Sequence, residues 1–128
     1  MDMRIAPLLS LVALPIGACD SIGGVCTLNF QYGIQITVID SLTGLPPAAA
    51  ALVATSGTFV DSVGPRAPSQ PVANGPPVLV LSTAGERPGI YSVVVRAPGY
   101  REWGRTNIRV TADRCHVRPT TLTAHLQS

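Results

Sequence analysis

Lysine is missing from this chain: all nine basic residues are arginine. Beside so much Ala, Pro and Gly, that bias matches the residue usage of a GC-rich genome and carries no functional meaning. Charge of either sign is scarce, at 12% of residues, and the net charge is only +2. After Arg4 the arginines are scattered from Arg66 to Arg118. A nucleic-acid surface would gather them on one face or helix, so nucleic acid is not an expected partner. Aromatic residues are few, at 5%. The apolar run Ile5–Ile16 has twelve residues, too few to cross a bilayer core of ~30 Å as a helix. No Gly-x-Ser-x-Gly elbow, internal repeat or coiled-coil heptad occurs. What the chain does have is 46% hydrophobic residues with 12 Pro and 12 Gly in 128 positions. That excludes general disorder and points to one domain of many short strands.

The start reads as an export signal. Arg4 precedes the apolar run, which is interrupted only by Pro7, Ser10 and Pro15 and is followed by small residues. It ends Ile16-Gly17-Ala18-Cys19. This resembles the lipobox of bacterial lipoproteins: an aliphatic residue, two small residues, then the acylated Cys. Leu is commoner where Ile16 stands. The resemblance implies lipid attachment at Cys19, removal of the signal peptide 1–18 and a membrane anchor on the extracytoplasmic, periplasmic side. An ordinary cleaved signal with an unrelated Cys is the plainer alternative. Several acyl chains on one residue give lasting attachment. Asp20 is associated with inner-membrane retention in enterobacteria, but inner and outer membrane are left unassigned. Residues 19–25, with Gly23-Gly24, form a short lipidated tether.

The domain proper spans 26–128. Its organising stretch is Ile90–Arg96, rich in β-branched residues and set between Pro88-Gly89 and Pro98-Gly99. Alternation puts Tyr91, Val93 and Val95 on one face. Asn107–Thr111 is expected to pair with it as a central hairpin. Other strands are expected at Cys26–Phe30, Gly33–Asp40, Ala48–Ser56, Thr58–Val63, Val78–Ser82 and Cys115–Leu126, with a bend at Gly104. In Gly33–Asp40, Ile34, Ile36 and Val38 share a face. Asp40–Pro47 reads as a turn, with Gly44 at positive φ. Gly64–Pro77 holds five prolines and reads as a functional or mobile loop. The fold class is all-β: about seven strands in an antiparallel β-sandwich.

Three pieces carry a resemblance. They are Val38-Ile39-Asp40-Ser41-Leu42-Thr43-Gly44-Leu45-Pro46, then Gly89–Val95, then Ala97-Pro98-Gly99-Tyr100. Together they resemble the carboxypeptidase regulatory-like domain, a transthyretin-like β-sandwich, over about residues 33–126. The resemblance implies a non-catalytic accessory module of secreted or surface proteins. The Pro-rich segment 64–77 departs from that family's usual Gly-rich one.

With Cys19 assigned to lipid, Cys26 and Cys115 are expected to form a disulfide, since an exported domain with an even count usually pairs them. Free buried thiols are the alternative. His116 and His125 lie nine apart, an odd offset that places them on opposite faces of a regular strand. With Asp113 the only nearby carboxylate, no metal set closes and no metal or other cofactor is expected. Hydroxyisourate hydrolase, a transthyretin-like relative, ends Tyr-Arg-Gly-Ser, whereas this chain ends His125-Leu126-Gln127-Ser128. No catalytic residue is assigned. Tyr100, Arg101 and Trp103 are the one aromatic–basic cluster and the candidate binding surface. The structural alternative has Tyr100 closing a turn and Trp103 covering a sandwich edge. The expectation is a monomeric, non-enzymatic, membrane-anchored envelope module that contacts a protein or polysaccharide; the alternative is a small transthyretin-like hydrolase. For the hydrolase, His116 or His125 would need a concave site with Arg or a carboxylate in reach.

Overall fold

The computed structural model describes residues 25–128. The signal segment 1–18, Cys19 and most of its tether lie outside the described residues. Seven strands follow: β1 (Tyr32–Asp40), β2 (Ala50–Ser56), β3 (Phe59–Arg66), β4 (Val80–Gly85), β5 (Gly89–Arg96), β6 (Trp103–Val110) and β7 (Thr120–Leu126). They make two sheets, ordered β4-β1-β7 and β3-β2-β5-β6, stacked as a β-sandwich.

Alternation decides which faces meet. Ile34, Ile36 and Val38 of β1, Leu52 and Ala54 of β2, Tyr91, Val93 and Val95 of β5, and Ala124 and Leu126 of β7 are all buried in one core. Every second residue of β1 between them, Gln35 and Thr37, stays partly exposed. The run 90–96 is interior to its sheet, but its partner β6 is an edge strand. Tyr91 also brings a polar atom into the interior, and its hydroxyl donates to Arg87 O at 2.9 Å. The buried Thr83 hydroxyl likewise donates to Asp61 Oδ2 at 2.6 Å. No buried side-chain polar atom is left unpaired among the described residues.

Four expectations need correcting. Cys26–Phe30 is an irregular strap rather than a strand. Cys115–Pro119 is also irregular, because Asp113 Oδ1 accepts the Cys115 and His116 N–H groups and holds a turn. β3 runs on through Gly64 and Pro65 to Arg66; Pro is tolerated there because β3 is an edge strand. The irregular connection is therefore 67–79, closed by its own Ser69–Val78 bridge. The bulge of β6 is not at Gly104. Tyr91 pairs Ile108 and Val93 pairs Arg105, so the extra residue lies between, where Asn107 has φ 55°.

One strand pair is parallel. β1 and β7 match from Ile34–Thr120 to Asp40–Leu126. The reason is the segment 111–119, which crosses between sheets at the end where β6 stops and where β1 also starts. Tracing the registers, the Tyr32 end of the sandwich holds the strap, the 57–58 and 86–88 turns and segment 111–119. The Asp40 end holds turn 41–49, loop 67–79 and turn 97–102.

Cys26 and Cys115 are bonded, with Cα atoms 5.2 Å apart and a sequence separation of 89. The bond therefore joins the strap to segment 111–119 at the Tyr32 end, not two strands as expected.

Candidate functional site

At the Asp40 end, two turns are built from their own residues. Asp40 Oδ1 accepts from Leu42 N at 2.7 Å and Thr43 N at 3.0 Å. Gly44 then takes φ 70°. Ala97-Pro98-Gly99-Tyr100 is a type II turn: Pro sets the second position, Gly99 has φ 84°, and Tyr100 N donates to Ala97 O at 3.1 Å. The turns are joined, because the Tyr100 hydroxyl donates to Asp40 Oδ2 at 2.7 Å. That bond, then the Thr43 and Leu42 N–H groups, holds the Asp40 carboxyl below its ordinary value. The same bond pushes the Tyr100 hydroxyl up.

The structure divides the predicted cluster. Tyr100 is spent on Asp40, as the structural alternative anticipated. Arg101 and Trp103 instead line a cleft of about 280 Å³ with Glu102, Gly104, His125 and Gln127. Trp103 pairs with the inward-facing Val95, so its ring packs on the core where the edges of β6 and β7 come together. Arg101 N donates to Gln127 O at 2.7 Å, tying the cleft's two sides. Arg105 stands with its guanidinium 5.5 Å from the Trp103 ring centroid, within cation–π range. His125, which the hydrolase alternative named, is exposed and lines this cleft. The cleft therefore offers an aromatic wall, a guanidinium, an imidazole, an amide and the Glu102 carboxylate, which is paired with Arg96. Such a set stacks on a sugar or planar group and hydrogen-bonds hydroxyls or a carboxylate.

A second constellation lies at the Tyr32 end, and sequence reasoning missed its acidic member. His116 Nδ1 is 2.6 Å from Glu86 Oε1, and His116 Nε2 is 3.0 Å from Thr27 Oγ1. With the ring proton on Nδ1 facing the carboxylate, Nε2 accepts from the Thr27 hydroxyl. Glu86 Oε1 also accepts from Gln31 N at 2.8 Å, and Oε2 from Val117 N at 3.3 Å. Desolvation pushes the Glu86 carboxyl up, but the bonds from His116, Gln31 and Val117 outweigh it and hold it below its ordinary value. The disulfide sits one residue before both Thr27 and His116 and fixes the two segments together. Glu86 is 30 residues from His116 in the chain, so no local spacing announced the pair. His116 is thus a partnered turn residue, not the regular strand residue that was expected. Among the described residues, no three His, Cys, Asp or Glu side chains are grouped to hold a metal ion.

Comparison of this chain with family models, curated proteins and solved structures returns no match.

Proposed function

We propose that this protein is a non-catalytic, lipid-anchored module of the cell envelope, of the carboxypeptidase regulatory-like type, that binds a protein or polysaccharide partner at its Asp40 end. The observation that carries the reading is the cleft where Trp103, Arg101, His125 and Gln127 converge between two sheet edges. An aromatic ring and Arg side chains around a concavity are the usual composition of a binding hot spot. Loop 67–79 lies at the same end. The motifs behind the family resemblance support the fold part of the reading, since Asp40 and Tyr100 make contact with each other. The test is affinity capture from solubilised envelope, comparing wild type with Trp103→Ala and with a deletion within 67–79. Loss of a captured partner in either variant supports the site. Identical capture by all three removes it.

One observation favours the alternative, a small hydrolase. Thr27, His116 and Glu86 stand in the order nucleophile, base and orienting carboxylate, at hydrogen-bond distances. They border a depression of about 360 Å³. The same three residues also serve as a clasp for the strap, which needs no chemistry. Ester hydrolysis lost in Thr27→Val and His116→Gln, with folding intact, would establish the hydrolase reading; no hydrolysis by the wild type would leave the clasp.

A further inference from the structure

We infer that the strap 25–31, with Tyr32 at the start of β1, forms the membrane-facing surface of the domain, with Leu28 and Phe30 entering the lipid interface. The inference rests on the lipid-anchor reading of Cys19 for its geometry, and on the strap's own chemistry for its energy.

The strap is apolar where nothing covers it. Val25, Leu28, Phe30 and Tyr32 are 95, 103, 61 and 42% exposed. Phe30 and Tyr32 stack edge to face with centroids 5.0 Å apart, so they present one aromatic patch. Scattered exposed apolar residues are ordinary, but three within six residues of one irregular segment, with Tyr32 at the start of β1 beside them, are not. Aromatic residues with an apolar body suit the zone between headgroups and acyl chains. The strap is also held firmly. The Cys26–Cys115 bond, the Thr27–His116 hydrogen bond and the Gln31–Glu86 pair tie it to the body. A patch fixed in this way presents its side chains without first having to be ordered.

Two further observations select a lipid surface as the occupant. The first is reach. Val25 lies six positions after Cys19, a span of at most about 21 Å when extended. The disulfide begins one residue later, so an acylated Cys19 keeps the Tyr32 end, and no other, beside the bilayer. The second is charge. Arg87, Arg109, Arg114 and Arg118 belong to this end, against Asp61, Glu86 and Asp113. An excess of Arg favours anionic headgroups.

The test uses the full lipidated chain reconstituted in vesicles of phosphatidylethanolamine and brominated phosphatidylglycerol. Trp103, the one native Trp, lies at the far end of the sandwich and serves as an internal control. In wild type its emission is expected to be unaffected by the bromines. In Leu28→Trp the added indole is expected to be quenched, and in Val72→Trp, on the distal loop, it is not. Equal quenching at positions 28 and 72, or none at 28, overturns the inference. Intact mass of the same preparation reports acylation of Cys19 separately. If Cys19 carries no lipid, the anchor reading fails alone, and co-sedimentation with the same vesicles still decides the strap. Binding lost in Leu28→Ser/Phe30→Ser supports it; binding unchanged overturns it. A dimer in solution that this double variant breaks would assign the patch to a second copy, and would overturn the inference too.

Discussion

The Tyr100 hydroxyl donates to Asp40 Oδ2 at 2.7 Å, sixty residues away in the chain. Asp40 ends β1 in one sheet, and Tyr100 closes the turn that follows β5 in the other. The bond therefore pins the two sheets together at the end that carries the cleft. It also fixes where residues 101–103 begin, so it positions the cleft without lining it.

Tyr100→Phe removes the largest influence on the Asp40 carboxyl. Its pKa is expected to rise toward the ordinary 3.8, as followed by NMR titration of the carboxyl carbon. The sign for stability follows. Asp40 is depressed in the folded state, so its contribution is complete above 3.8 and is lost as pH falls through the folded value. The variant should lose less stability on acidification than wild type.

Glu86 and Asp113 act in the same direction at the opposite end. Both carboxyls are held below their ordinary values of 4.5 and 3.8. For Asp113 the causes are the His116 N–H, then the Cys115 N–H. Their stabilisation is present above those values and disappears as pH falls through the lower folded ones. The Gln31 and Val117 amide resonances should shift with Glu86 protonation. Asp113→Ala should flatten the acid limb of the unfolding midpoint against pH.

Reducing the Cys26–Cys115 bond releases a loop of 89 residues. In the chain-entropy account, that costs about 4–5 kcal/mol of stability. Urea unfolding of the oxidised protein against Cys26→Ser/Cys115→Ser is the measurement. Two free thiols found by alkylation of the untreated protein would contradict the bond itself.

Gly99→Ala should cost about 1–2 kcal/mol, because an L side chain at φ 84° strains the backbone. A Cβ there would meet no other atom within 4 Å, so the backbone is the whole cost. Leu52→Ala, at a fully buried position, should cost about 2–5 kcal/mol through lost packing and a cavity. Denaturant midpoints would separate the two.

The strands that alternate apolar and polar residues could be read directly from the chain. Ile34, Ile36 and Val38, and Tyr91, Val93 and Val95, face the core as the period of two requires. Turn chemistry was equally legible at Asp40–Gly44 and Ala97–Tyr100. What escaped depends on partners distant in the chain. Cys26–Phe30 has strand-forming residues but no neighbouring strand to bond. Pro65 was read as a stop, yet it is accommodated because β3 is an edge strand, a fact about topology rather than composition. His125 entered the cleft only because β7 lies beside β1, next to the β6 edge. Glu86 had no local signal at all; only the fold brings it to His116.

The parallel register of β1 with β7 has a consequence for how the molecule forms. Ile34 waits for Thr120, 86 positions later, before the second flank of its strand is paired. Until then, one flank of β1 carries unsatisfied backbone groups. Closing so long a loop is entropically unfavourable, and folding dominated by such pairings is slow. A nascent chain therefore stays open to chaperones and proteases until its last strand arrives, and shortening β7 by a few residues strips a partner from the first strand made.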